Sequence, residues 1–291
     1  VLEAGLSVFG AAGTAWLAGC RGVRARTPVT ARGSDSELNL VQRLAEAFME
    51  RRPDVAVGVT GGGSGVGIAA LLDGTTDIAT SSRPLSPHER LLALRKGRSP
   101  RAIVFATDAL AVIVHRSNRL VSATLDEVGA LFRGERARWD DGAPLVAYGR
   151  QSSSGTYVFF KASVLRGDYA STVRELSGTA QIVEAVSHDP GGVGYVAAGY
   201  LRHGAEVRVV PIRSALSAEA VDPLDEAAVL EGRYAITRPL FQFTDGPPAG
   251  AVADLQRFEL SPAGEAIARE MGFYPVLATW RGQNERLLAR S

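Results

Sequence analysis

The sequence predicts an α/β fold built as two domains, on three observations. From Arg32 onward, short apolar runs of strand character alternate with segments whose apolar residues recur at helical spacing. Three of the strand-like runs end in a Gly/Ser-rich turn that leads straight into a helix. The chain has 291 residues, enough for two domains that each bury a core of their own.

The N-terminal segment stands apart from that alternation. Residues 4–19 carry no charge and end in small residues before Cys20, a signal-peptide pattern too short for a membrane span. Leu17-Ala18-Gly19-Cys20 resembles the lipobox of bacterial lipoproteins. That resemblance implies that residues 1–20 are a lipoprotein signal peptide, cleaved before Cys20, with lipid on the cysteine. Residues 21–31, RGVRARTPVTA, show no apolar periodicity and read as a flexible tether.

The elements then follow in order. Residues 37–51 read as a helix with Leu38, Val41, Ala45 and Phe48 on one face, stopped by Pro53. Residues 55–60 alternate as a strand, and 63–72 form a second helix ended by Gly74. A short strand at 77–80 precedes a helix at 87–95 with proline in its first turn. Residues 103–115 make a long apolar strand. A helix at 125–132, a strand at 144–148, helices at 154–165 and 179–187, and strands at 194–196 and 207–212 come next. Residues 216–231 are poorly patterned and read as loop with a short helix. A strand at 236–244 and helices at 249–260 and 262–271 complete the pattern, and the tail after Leu277 is charged and weakly patterned.

Composition narrows the function. The apolar fraction of 46% and charged fraction of 22% are those of a soluble globular chain. A net charge of +1 gives no global field to attract nucleic acid, so any anion selectivity has to be local. Cys20 is the one cysteine, which excludes an intramolecular disulfide and a cysteine zinc site. His88, His115, His188 and His203 have neither metal-ligand nor triad spacing, and neither a catalytic residue, a metal nor a cofactor is expected.

The chemistry-bearing residues lie on the Gly/Ser-rich turns. In Gly33-Ser34-Asp35-Ser36-Glu37, Ser34 and Glu37 fit a capping box. In VTGGGSGVGIAAL, Ser64 begins a helix, and in GRQSSSGTYVFFK the residues Ser154, Gly155 and Thr156 begin another. Each helix start offers unpaired N–H groups and the positive end of a helix dipole, glycine allows close approach, and hydroxyls add rotatable donors. One such serine is a cap; three on similar turns make an anion site without net charge. GGGSGVG lacks the Lys-Ser/Thr of a Walker loop, and Val66 stands where a nucleophile elbow requires glycine. Arg150, four residues before Ser154, can grip an oxyanion with two parallel hydrogen bonds. Ser81, Ser82 and Arg83 follow a short strand, and Asp108 is a charge within an apolar strand that needs a partner, for which Arg83 is the candidate.

These segments carry a family resemblance. GSDSELNLVQRLAEAF, PDVAVGVTGGGSGVGIAALLDGTTDIATSSRPL, RQSSSGTYVFF, VGYVAAGYL and ITRPLFQFT occur in the order seen in the PstS-type phosphate-binding proteins of bacterial ABC importers, and the likeness runs from Arg32 to Leu277. The resemblance implies the type II periplasmic-binding-protein fold, with residues 32–108 and 237–291 as one domain, 109–236 as the other, crossover strands as hinge and ligand in the cleft. It implies phosphate binding by Ser36, the Glu37 backbone N–H, Ser64, Arg150, Ser154, Gly155 and Thr156. Some members carry an aspartate where this chain has Ser82; the resemblance implies that Ser82 and Arg83 also bind phosphate from that loop, with Asp108 as the expected acidic substitute. Glu37 stands where many members are apolar: as a helix cap it stays out of the cleft, and turned inward it repels an anion. The implied partners are inorganic phosphate and inner-membrane ABC permease subunits, for a monomeric, lipid-anchored, extracytoplasmic protein that is not an enzyme.

Phosphate near neutral pH still carries a proton that a carboxylate can accept, whereas sulfate does not, so Asp108 in the cleft would select phosphate. Another tetrahedral oxyanion (sulfate, molybdate or tungstate) is the alternative ligand, and a phosphate-binding surface sensor or adhesin the alternative role. A phosphatase or serine hydrolase built on the same serines is the rival from a different class and requires a base beside a nucleophile.

Overall fold

The computed structural model describes residues 25–201 and 204–289, so the expected lipidation site Cys20 and the segment before it lie outside the described residues. The first part of the chain is β1 (Thr27–Gly33), α1 (Leu38–Arg51), β2 (Val55–Thr60), α2 (Ser64–Leu72), β3 (Ile78–Ser81), α3 (Pro87–Arg95) and β4 (Pro100–His115). The middle part is β5 (Ala123–Thr124), α4 (Leu125–Phe132), β6 (Val146–Arg150), α5 (Gly155–Phe160) with a π-helical continuation Lys161–Leu165, β7 (Arg174–Leu176), α6 (Thr179–His188) and β8 (Gly192–Ala197). After a 3-10 turn, Ala198–Tyr200, it continues with β9 (Val207–Val210), β10 (Ile212–Ser214), β11 (Ser217–Val221) and α7 (Glu226–Leu230). The chain then returns through β12 (Thr237–Asp245), α8 (Gly250–Glu259), α9 (Pro262–Glu270) and α10 (Ala278–Leu288).

One mixed sheet runs β2-β1-β3-β12-β4-β8-β6-β7, with β9 also on β4, and a small second sheet runs β11-β10-β5. β1 is parallel to β2 and β3, and β6 is parallel to β7 and β8, as strand–helix–strand crossovers require. β4 joins the two halves. Its residues Pro100 to Ala109 pair antiparallel with β12, and Leu110 to His115 pair with β8 on one side and β9 on the other. Side chains along β4 alternate between faces: Ile103 and Phe105 enter one core and Val104 another, while further along Val112 and Val114 enter a third and Ile113 a fourth. Burial on both faces is why this strand is a continuous apolar run.

The helices form where apolar spacing puts one face inward. In α1, Leu40, Val41, Leu44, Ala45 and Phe48 are buried. Ser86 and Glu89 close a capping box on α3, and Thr124 and Glu127 close one on α4.

Several expectations are corrected. The tether is shorter than read, because Thr27 to Arg32 pair with β2 and bury Val29 and Ala31. Two inward residues are too few to register as a period. The capping box at Ser34 and Glu37 does not form: α1 starts at Leu38, Glu37 is its N-cap without a side-chain cap bond, and both side chains are drawn into a buried hydroxyl cluster instead. The segment 216–231 contains a strand, β11, held by antiparallel pairing to β10, and the tail after Leu277 contains α10. The strand expected at 144–148 lies at Val146–Arg150, which puts Arg150 at its end.

Candidate functional site

Four strand–turn–helix units bring their turns to one point. Ser34 and Ser36 come from the turn after β1, Ser64 from the first residue of α2, and Ser82 from the turn after β3; each is buried to 3% exposure or less. Ser34 Oγ lies 2.8 Å from Ser36 Oγ and donates to Ser82 Oγ at 3.2 Å. Ser64 Oγ accepts from the Ser82 N–H at 3.2 Å and sits 3.4 Å from Ser82 Oγ. The fourth unit, β6–α5, meets them at Gly155, where a Cβ would collide with Ser64 Oγ and lie 2.6 Å from Ser82 Oγ. Only glycine allows this approach. Ser154 caps α5, its Oγ accepting from the Thr156 N–H at 3.2 Å. The Gly65 N–H at the start of α2 donates to Ser153 O at 3.1 Å, so the turns of the two halves touch directly.

The hydroxyl chain ends on a carboxyl. Ser36 Oγ donates to Glu37 Oε2 at 2.9 Å, and Glu37 is fully buried. Burial pushes its carboxyl up to about 7, against the pull of the Ser34 and Ser36 hydroxyls and of the Arg238 charge. Glu37 Oε1 has no hydrogen-bond partner.

Two buried arginines flank the cluster. Arg150, at the end of β6, donates to Thr179 Oγ1 at 3.0 Å, to Ser177 O at 2.7 Å and to Asp35 Oδ2 at 2.6 Å. Asp35 also accepts from the Gly62 N–H at 2.8 Å, and its carbonyl accepts from the Tyr200 hydroxyl at 2.7 Å. Arg238, on β12, donates through Nε and Nη2 to Asp108 Oδ2 at 2.9 and 2.8 Å, and through Nη1 to Thr156 Oγ1 at 3.1 Å. Its guanidinium also lies 5.4 Å from the ring centroid of Phe159. Burial pushes the Asp108 carboxyl up, against the pull of Arg238.

Ser36, Glu37, Ser64, Ser82, Ser154, Gly155 and Thr156 are therefore gathered at the meeting point of the two halves, with Arg150 and Asp108 at its sides. The expected pairing of Asp108 with Arg83 is corrected. Arg83 donates to both Glu89 oxygens at 2.7 Å, an ion pair between the turn and α3, and Asp108 belongs to Arg238. Glu37 is the inward-turned carboxyl, not a cap. Sequence reasoning missed Asp35, Thr179, Tyr200 and Arg238. Arg238 carried a readable signal, a lone charge in the apolar strand that returns alongside Asp108. Asp35 carried none, because it meets Arg150 across 115 residues of sequence.

Comparison with known proteins identifies the fold and the family. The profile of the PBP superfamily domain matches residues 21–264. The phosphate-binding protein PstS of Pseudomonas aeruginosa is 30% identical over 268 residues, covering 84% of this chain and 82% of that protein. The phosphate-binding protein PstS of Staphylococcus saprophyticus is 26% identical over 253 residues, 83% of this chain and 78% of that protein. Among solved structures, a provisionally assigned phosphate ABC transporter substrate-binding protein of Clostridium perfringens, with bound phosphate, superposes with a TM-score of 0.77 at 24% identity, over 86% of this chain and 100% of that one. An ABC-type phosphate transport receptor of Vibrio cholerae superposes with a TM-score of 0.67 at 22% identity, over 85% and 100%. These superpositions fix the fold as the type II periplasmic-binding-protein fold. By its profile match and by its identity over most of its length, the chain belongs to the PBP superfamily and, within it, to the family of the phosphate-binding protein PstS.

Proposed function

We propose that this protein is an extracytoplasmic receptor that captures inorganic phosphate between two lobes and delivers it to an ABC permease. Its lobes are residues 32–108 with 237–291, and residues 109–236. The observation that carries the reading is the convergence of buried hydroxyls and helix starts from both lobes, in a chain whose relatives are named phosphate-binding proteins. An entering anion takes over Ser34, Ser36, Ser64 and Ser82, which now bond among themselves, and Ser154 with the Thr156 N–H that it holds, together with the Gly155 N–H. Arg150 supplies charge, oriented by Asp35 and Thr179. Holding the anion from both lobes favours the closed form, which is the form a permease would read. Among the described residues the serine hydroxyls bond to one another and to the Glu37 carboxyl, an arrangement suited to holding an anion. Among the described residues no helix is long and apolar enough to cross a membrane, and a lipid on Cys20 would supply the anchor.

Calorimetric titration after unfolding and refolding to strip ligand tests this, with phosphate, sulfate and molybdate added in turn. Tight phosphate binding is expected, and Arg150→Lys should weaken it by about tenfold or more, the worth of one charge-assisted hydrogen bond. Molybdate or sulfate binding in place of phosphate would assign the site to another oxyanion.

A further inference from the structure

Ser36 has one hydroxyl proton and two neighbours that compete for it. In the closed site that proton goes to Glu37 Oε2 at 2.9 Å, while Ser34 Oγ lies 2.8 Å away on the side of the serine cluster. With Glu37 ionised, Ser36 donates to it, beside the pull of the Ser34 hydroxyl, and turns a lone pair toward the cluster. With Glu37 protonated, the bond can reverse. The carboxyl then donates to Ser36 Oγ, and the Ser36 proton is released toward the anion.

We infer that Glu37 sets the donor direction of Ser36 and so decides, by its own protonation, whether an oxyanion must bring a proton to be accepted. The inference rests on the phosphate reading of the site. Phosphate carries a proton that the Ser36 lone pair can accept. Sulfate has none, and against an ionised Glu37 it meets a lone pair and a buried negative charge. Sulfate therefore enters only with a proton on Glu37. The fully buried carboxyl titrates near neutrality, which puts the switch in an accessible pH range. The charged and titratable groups around it are Arg238 on β12, Asp108 on β4 and Tyr200 after β8, with Asp35 and Arg150 acting on the same tyrosine. Arg238 and Asp108 form their own ion pair, and burial pushes the Tyr200 hydroxyl up, away from this range. Glu37 acts through Ser36 and is a positioning residue.

The test is sulfate and phosphate affinity of the full refolded chain between about pH 5.5 and about pH 8.5, read by calorimetric competition. Sulfate affinity should fall about tenfold per pH unit above the Glu37 titration, the slope of one bound proton, while phosphate stays tight. Glu37→Gln, which can donate to Ser36 at every pH, should bind sulfate with no such slope, and Ser36→Ala should also lose it. A flat sulfate profile in the unmodified chain, or a slope that survives in Glu37→Gln, overturns the inference and leaves phosphate binding standing. Because the unmodified chain alone gives the slope, a variant that fails to fold does not remove the test. Binding of neither anion at any pH would overturn the phosphate reading and this inference with it.

Discussion

Arg238 and Asp108 stand opposite each other in the register of β12 and β4, both at 1% exposure or less. Both guanidinium bonds fall on one carboxylate oxygen, and the remaining oxygen, Oδ1, has no hydrogen-bond partner. A buried pair of this kind adds little net stability, but breaking it strands a charge in a low-dielectric core. Arg238→Met should therefore lower unfolding stability by about 3–5 kcal/mol, and adding Asp108→Leu should recover most of that loss. Urea titration of the two variants checks it; equal losses in both would mean that the cost is packing. The pair also marks what was legible at this scale. Asp108 was readable as a charge in need of a partner, but the partner lies 130 residues away and only strand register names it. The serines were readable because Gly/Ser turns before helices are local signals. The direction of Glu37 was not, since an N-cap displaced from Ser34 to Glu37, three residues on, turns its carboxyl from cap to cluster.

At the scale of elements, α8 and β12 share a buried polar contact. Gln242 on β12 donates to Glu259 Oε1 at 2.9 Å, and Gln256 donates to Gln242 Oε1 at 3.2 Å. Burial pushes the Glu259 carboxyl up to about 8, with Gln242 opposing the shift. A carboxyl raised in the folded state contributes fully below its unfolded value of 4.5, and that contribution is lost as pH rises toward about 8. The loss approaches about 1.4 kcal/mol per pH unit across that window. Glu259→Gln should flatten the pH dependence of the denaturation midpoint and raise stability near pH 8; an unchanged slope would place the titration elsewhere. Most elements were readable because their apolar period was intact. α10 was not, since amides help to fix it. Asn284 accepts from the Val104 N–H at 3.0 Å and donates to Val104 O at 2.7 Å, and Gln283 donates to Ala102 O at 3.3 Å. The helix thereby occupies a stretch of β4 that no strand pairs on that side, and a polar clamp on a sheet edge leaves no hydrophobic stripe to read.

For the whole molecule, direct hydrogen bonds tie the two halves together. Arg150 reaches Asp35, Tyr200 holds the Asp35 carbonyl, and Gly65 holds Ser153. Asp35→Asn keeps the side-chain shape and removes the charge, so the ligand-free protein should open. Small-angle scattering should show a larger radius of gyration that contracts again on phosphate, whereas an unchanged radius would mean that the Asp35–Arg150 bond does not hold the halves together. The two-part α/β plan was legible from the alternation of elements, but these ties were not, because each joins distant turns. The strand order carries a consequence for biogenesis. β12 lies between β3 and β4, although more than a hundred residues separate it from β4 along the chain. Until Asp245 has been synthesised, both of those strands keep a bare edge and the first half of the molecule cannot close its sheet. Pairings of such sequence separation form slowly. The insertion of β12 thus sets the moment at which the sheet can lock, late in the growth of the chain.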